Sequence, residues 1–520
     1  MASRLFSVFL ALIPLSAAAS ALQEEPADTL SRPVMNYDVT MHVWGSTGEL
    51  APYYIMSNRH GRFTQGDGIM LDLKAERELK TEHRFEYGFG IEALAGWQSK
   101  VDYIRYDASS GELALHGANP APLWLQQLWA GVKYRGVFLT AGMHENKRSI
   151  FNSRIGSGDL TLSANSRPIP RLSAGFIDFQ DIPFTKGWLQ IEGEISWGKM
   201  TDGKWLENHY NYYNSFITTG SWMHYSRCYF RTNPEKPFSV TVGMQQATQF
   251  GGTTTWYRDG EQTGSSKNSP RFKDFINALF PWVGGTSASS GDKAYYDGNH
   301  LGSWDLRLRY RLPSGHELTA YMQSPWEDGS GIGKLNGFDG VWGLEYRAPD
   351  SHAVLSGFVA EYLDFTNQSG PMHWAPGDFP GTGIPSQATG ADDYYNNFMY
   401  NGWANYGLAI GSPFLKSPIY NTDGYMRFTD NRIRGFHLGA EGWLHSSLEW
   451  RAMFSFRTSW GTPLLPALKR TSDTSMLLEA RWHVPAMTGL CLGGTVAWDA
   501  GRLLGNNFGA MLSISYSGIL

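Results

Sequence analysis

The sequence predicts an all-β fold: a transmembrane antiparallel β-barrel of about eighteen strands, with long structured loops on one rim and short turns on the other. Three observations carry this reading. First, residues 508–520 read FGAMLSISYSGIL and alternate strictly over their first nine positions. Phe508, Ala510, Leu512, Ile514 and Tyr516 share one face and Gly509, Met511, Ser513 and Ser515 the other, because successive strand side chains point to opposite faces. A final strand with one apolar and one small, polar face suits the closing strand of an outer-membrane barrel. Second, the connections between candidate strands sort by length. Third, the composition is polar on average yet rich in aromatics.

The candidate strands lie near 34–45, 69–79, 83–96, 123–134, 137–144, 171–179, 187–200, 221–231, 238–249, 302–312, 316–324, 340–347, 352–365, 433–443, 446–458, 474–484, 489–499 and 507–519. Each shows period-2 alternation. In Ser303–Leu312, Trp304, Leu306, Leu308, Tyr310 and Leu312 share one face, and Ser303, Asp305, Arg307, Arg309 and Arg311 the other. The arginine line reads as lumen-facing, with Glu345 or Asp305 as partners. Connections after even-numbered strands are short: Lys80–Glu82, Arg135-Gly136, Pro313–Gly315, Ala348–Ser351 and His445. Those after odd-numbered strands are long: 46–68, 97–122, 145–170, 201–220, 250–301 and 366–432. Short periplasmic turns and long outer loops are the asymmetry of exported barrels. A soluble β protein has no reason to sort its loops in this way. Within the long loops, Arg271–Phe280 (RFKDFINALF) has helical spacing of Phe272, Phe275, Ile276 and Leu279, and Pro281 stops it.

Composition agrees. Of 520 residues, 18% are charged, below the roughly 25% of soluble proteins. There are 20 Trp, 26 Tyr and 28 Phe. A mean hydropathy of −0.33 is too polar for a bundle of membrane helices, and half-wet strands with aromatic girdles explain it. Arg4, the apolar run Leu5–Leu15 and Ala19-Ser20-Ala21 read as an export signal spanning 1–21. A periplasmic segment, 22–33, and the barrel with its loops, 34–520, would follow. Cys228 and Cys491 lie far apart on separate candidate strands, so a disulfide is allowed but not required. The formal net charge of −5 gives no reason to expect nucleic acid.

Several loop segments are too specific to be filler. Loop 366–432 gathers Trp374, Asp392, Asp393, Tyr394, Tyr395, Asn396, Asn397 and Trp403. Sugars are held by aromatic faces against C–H surfaces and by planar polar groups against hydroxyls. This set suits a lectin, and it equally suits packing a large loop into a barrel mouth. Asn165 and Arg167 precede and flank Pro168 and Pro170, which fix an extended run into the next strand. Arg167 is a candidate for an acidic sugar or for a lumen carboxylate, and Asn58 and Arg59 carry the same two readings. Asp392 and Asp393 are adjacent, which does not place two carboxylates face to face as glycoside hydrolysis requires. They also lack the spacing of a calcium loop. Gly329–Lys334 (GSGIGK) lacks the phosphate-loop spacing, and no nucleophile or metalloprotease motif is present. The residues thus suggest a protein that is not an enzyme, with no catalytic residues, metal or cofactor.

The segments 51–63 (APYYIMSNRHGRF), 157–170 (SGDLTLSANSRPIP), 187–205 (GWLQIEGEISWGKMTDGKW), 223–231 (MHYSRCYFR), 392–403 (DDYYNNFMYNGW) and 431–443 (NRIRGFHLGAEGW) occur in an order that resembles the capsule assembly protein Wzi family, in its Bacteroides-type form. The resemblance runs from about Tyr37 onward. Ser166 stands where the family usually has Ala, and Leu520 where outer-membrane strands often end in Phe. The resemblance implies an occluded 18-stranded outer-membrane barrel of a Gram-negative bacterium, its loops extracellular. Such a protein attaches or organises capsular or surface polysaccharide. Polysaccharide, outer-membrane lipid and lipopolysaccharide would be its partners, and it would be a monomer. The candidate polysaccharide contacts are Asn58, Arg59, Asn165, Arg167, Trp374, Asp392, Asp393, Tyr394, Tyr395, Asn396 and Trp403. The alternative is a porin or polysaccharide export channel, since eighteen strands leave room for an aqueous lumen.

Overall fold

The structure, a computed structural model, describes residues 35–146, 148–279, 298–327, 329–371, 373–376 and 386–519. The expected export signal and the segment 22–33 lie outside these residues. Eighteen antiparallel strands close into one barrel. They are β1 (Asn36–Ser46), β2 (Gly68–Arg77), β3 (Phe85–Gln98), β4 (Leu123–Tyr134), β5 (Val137–Met143), β6 (Arg171–Phe176), β7 (Leu189–Lys199), β8 (Trp222–Thr232), β9 (Phe238–Phe250), β10 (Asn299–Arg311), β11 (Glu317–Trp326), β12 (Gly340–Arg347), β13 (Gly357–Asp364), β14 (Ile433–His445), β15 (Leu448–Gly461), β16 (Pro466–His483), β17 (Leu490–Gly501) and β18 (Asn507–Ile519). Each strand pairs with the next. β18 returns to β1 in the register Asn36↔Ile519 to Ser46↔Gly509, so no edge remains. β6 breaks after Phe176, and Gln180–Asp181 resumes the pairing with β7.

All eighteen predicted strands have a counterpart. The largest shift is at β16, which starts at Pro466 because its ladder with β15 continues to Gly461↔Pro466. The loop-length rule holds for the six long connections. On that same rim, however, β15–β16 and β17–β18 are joined by the short segments 462–465 and 502–506. The predicted loop helix is present at Phe272–Asn277. Further hairpins inside the long loops, such as Val101–Asp107 with Glu112–Ala118, are additional.

The wall has the polarity of a barrel in lipid. Val39, Met41 and Val43 of β1 face outward with 39–45% exposure, opposite Tyr516, Ile514 and Leu512 of β18. The inward face is polar and buried. It includes Thr40, Asp72, Glu92, Glu194, Arg227, Asp305, Glu345, Glu361 and Arg457, an inversion of the soluble pattern. In the arginine line, Arg307 pairs with Glu345 at 2.8 Å. Arg309 and Arg311 take Glu317 at 3.3 and 2.8 Å. Asp305 instead accepts from Tyr229 Oη at 2.6 Å and Gln245 Nε2 at 3.0 Å. Cys228 and Cys491 are both free.

The described residues of three connections turn inward and pack in the lumen: those of 47–67, of 144–170 and of 365–432. In the first, Tyr54 Oη meets Ser455 Oγ at 2.6 Å and His437 Nδ1 at 3.0 Å. The second crosses the lumen. The Leu160 amide donates to Gln323 at 2.8 Å, the Ser157 amide to Glu361 at 2.9 Å, and the Ile155 carbonyl lies 2.8 Å from His437 Nε2. Asp159 caps a turn by accepting from the Thr161 amide at 2.9 Å. Gly439 makes the crossing possible: a Cβ there would stand 2.0 Å from the Ile155 carbonyl oxygen. Gly439→Ala is therefore expected to cost about 1–3 kcal/mol by overpacking, read as a lower melting temperature in detergent with earlier proteolysis of the 144–170 insert.

Candidate functional site

The long-loop rim holds a cleft built from two connections that are far apart in sequence. Residues 200–221 supply Asp202, Trp205 and Ser221, and residues 365–432 supply Asn401, Asn405 and Tyr406. Asp202 sits before a short helix, Trp205–His209, and accepts from the Leu206 amide at 2.9 Å, so it fixes the start of that turn. Gly407 adopts φ +73°, and a Cβ there would fall 2.2 Å from the Trp205 ring. The indole therefore lies directly against the backbone of the other loop. His209 stacks on Trp205 at 4.0 Å, contacts Tyr103 edge-on at 4.6 Å, and places Nδ1 2.6 Å from the Trp205 carbonyl.

Hydrogen bonding in the cleft is unevenly satisfied. Asn401 accepts from the Thr218 amide at 2.8 Å and donates to the Phe216 carbonyl at 3.0 Å, which ties the two loops together. Asn405 Nδ2 donates to the Arg167 carbonyl at 3.0 Å, while its Oδ1 has no partner. Gln249 Nε2 donates to Ser221 Oγ at 3.2 Å, while its Oε1 has none. Two buried acceptors thus line the cleft beside a tryptophan and a tyrosine. Buried polar atoms are rarely left unpaired, and sugar hydroxyls are donors of the kind these oxygens lack.

Burial lowers the His209 pKa from 6.5 to about 4, only partly offset by its bond to the Trp205 carbonyl. A depressed histidine gives stability that is present above its unfolded pKa and lost as pH falls through the folded value. The cleft loop is expected to hold above pH 6.5 and to lose up to roughly 3 kcal/mol as pH falls toward 4. Hydrogen exchange of segment 200–221 measures this, and His209→Gln should flatten the dependence.

The chain matches no known family profile and no curated protein. Among solved structures it is similar to Wzi of Escherichia coli, described as an outer membrane protein involved in group 1 capsule assembly and a carbohydrate-binding β-barrel. Identity is 12%, TM-score 0.53, and the match covers 92% of this chain and 83% of that one. Acinetobacter baumannii OccAB2 matches at 9% identity and TM-score 0.45, covering 94% of this chain and 98% of its own. Pseudomonas aeruginosa OccK3 (OpdO) matches at 12% and 0.41, covering 94% and 96%. The fold is that of an outer-membrane β-barrel.

Within this barrel, most sequence-selected residues sit inside the loop packing. Tyr394, Tyr395, Trp403 and Asn165 are 0–4% exposed. Tyr394 Oη donates to Asp339 at 3.0 Å, and Tyr395 Oη donates to the Leu160 carbonyl. Trp403 Nε1 donates to the Thr161 carbonyl at 2.9 Å, and Asn165 Nδ2 to the Ala409 carbonyl at 2.9 Å. Asp393 accepts from Asn431 at 2.7 Å and Asn396 at 3.1 Å, and Asp392 from Ser369 at 2.8 Å. Arg59 pairs with Glu479 at 2.8 Å, and the Asn58 amide donates to Asn165 at 3.2 Å. Trp374 falls on a short strand, His373–Pro376, paired with Ser386–Thr389, and its side chain is outside the described residues.

Arg167 packs against one lining residue of the cleft, Tyr406. Its guanidinium lies between the rings of Trp124 and Tyr406, 4.3 Å from each. Burial lowers its pKa to about 10, against the pull of Tyr406, so it stays charged at neutral pH. Asp202, Trp205, Asn401, Asn405 and Tyr406 were not selected from the sequence. The one available signal was the GKMTDGKW run, an exposed turn that carries a tryptophan.

Proposed function

We propose that this barrel is a lectin-like member of the Wzi family that attaches or organises capsular or surface polysaccharide, with its long-loop rim on the outside of the cell. The observation that carries the proposal is the rim cleft, where unpartnered Asn405 Oδ1 and Gln249 Oε1 lie beside Trp205 and Tyr406. Aromatic side chains packed beside spare acceptors suit the C–H groups of a sugar and its hydroxyls. Similarity to a carbohydrate-binding barrel supports the same reading. The residues selected from the sequence then act mainly by holding the loops in place, with Arg167 bracing Tyr406. The role requires no reaction and no cofactor. A channel reading is weakened by the three connections that occupy the lumen.

The test uses a glycan array with purified protein and a capsule assay in cells. Trp205→Ala should lose at least about tenfold in binding, in line with the loss of an aromatic anchor. A deletion strain should release polysaccharide into the medium while synthesis continues. Unchanged retention in that strain would sink the proposal.

A further inference from the structure

A second cavity opens where β4–β7 meet the start of the 144–170 insert. Trp129, Thr140, Arg171 and Glu194 line it from the strands and Arg148 from the insert. Three N–H groups of this lining have no protein acceptor: Trp129 Nε1, Arg148 Nη1 and Arg171 Nη1. All three are donors, so the cavity offers hydrogens and asks for lone pairs. Buried donors are seldom left unmet, and two of these belong to guanidinium groups, for which the shortfall is largest.

The nearby acids do not make up the difference. Arg227 holds Glu192 at 2.8 Å and stands 3.8 Å from Glu194, and it also donates to the Arg148 carbonyl. Glu145, which also lines the cavity, is taken by Arg62 at 2.6 Å and Gln126 at 3.1 Å. Among the described residues, Arg148 and Arg171 form no ion pair within 4.0 Å. Arg148 lies over the Phe138 ring at 4.1 Å. Its pKa is lowered by burial, with Arg227 and Arg171 adding to the effect against Glu194 and Glu192. The lining thus holds Arg148 and Arg171 beside Glu145 and Glu194, and both acids already face other cations, Glu145 facing Arg62 and Glu194 facing Arg227.

We infer that the cavity is a binding site for a small oxyanion, the carboxylate of an acidic sugar or a phosphate group, held by the guanidinium groups of Arg148 and Arg171 and the indole N–H of Trp129. Forked guanidinium donors match the paired oxygens of both anions. The inference stands apart from the rim cleft and does not depend on it.

Calorimetric titration of the full-length protein in detergent tests it, with galacturonate, inorganic phosphate and neutral galactose as probes. At least one anion should bind. Arg171→Gln and Trp129→Phe should each weaken that binding about tenfold, the value of one lost charge-assisted or buried hydrogen bond. Trp205→Ala in the rim cleft should leave it unchanged, which separates this site from the lectin reading. A preference for galacturonate identifies a glycan carboxylate, and a preference for phosphate identifies a phosphorylated glycan or lipid headgroup. Should Arg171→Gln fail to fold, Trp129→Phe, which keeps the ring volume, decides. Absence of binding by either anion, or wild-type affinity in Trp129→Phe, overturns the inference.

Discussion

Deletion of residues 149–166, bridged by a short Gly-Ser linker, is expected to turn a closed barrel into a conducting one. The 144–170 insert spans the lumen, from Arg148 beside Arg227 on β8, past Gln323 on β11, to His437 on β14. Once it is gone, the inner face of β7–β15 meets water. That face is already polar, with Glu194, Arg227, Asp305, Glu345 and Glu361 among its residues. Hydration therefore costs little, and eighteen strands enclose enough width for an aqueous path. In planar bilayers the intact protein should show no steady channel and the deletion a stable one. A silent deletion that keeps its melting temperature would mean that segments 47–67 and 365–432 seal the lumen by themselves.

The second large effect is expected at Arg62. Its guanidinium lies 3.4 Å from Asp72 and 2.6 Å from Glu145, and it also pairs with Glu92. Arg62→Ala leaves three buried acids without their shared cation, and breaking a buried pair from one side costs about 3–5 kcal/mol. Burial alone would raise the Glu145 pKa, but His60 and Arg62 pull it down to about 2. A depressed carboxylate gives stability that is present above its unfolded pKa of 4.5 and lost as pH falls toward 2. The Arg62→Ala variant should lose that acid tolerance. Its melting temperature should fall most above pH 4.5, where Glu145 is charged in the folded and the unfolded chain alike. Adding Glu92→Gln should recover part of the loss, a coupling that a double-mutant cycle measures. Full additivity of the two changes would refute the shared-cation account.

The wall was legible in the sequence because its signal is local. Alternation in Ser303–Leu312 and in 508–520 needs only the neighbouring residue, and loop length needs only counting. The site was not legible, because its parts are nonlocal. Trp205 gains its meaning from Gly407, some two hundred residues away, where the missing Cβ lets the indole settle. The aromatic-rich run 392–403 drew attention by composition, yet Tyr394, Tyr395 and Trp403 are the residues that anchor that loop in the interior. An aromatic carries the same letter whether it faces a sugar or a neighbouring carbonyl. The orphan donors of Trp129, Arg148 and Arg171 were equally invisible, since an unmet hydrogen bond is a property of surroundings that the chain assembles only in three dimensions.

The pairing of β1 with β18 also sets an order of events. The first and last strands meet along a single seam from Asn36↔Ile519 to Ser46↔Gly509, so the ring cannot shut until the whole chain is present. The segments inside it are gripped from several sides, by β7, β8, β11, β13 and β14 together. Once the seam zips, they are encircled by the sheet they helped to shape. A wall closed along that seam leaves the inner segments no sideways exit between strands.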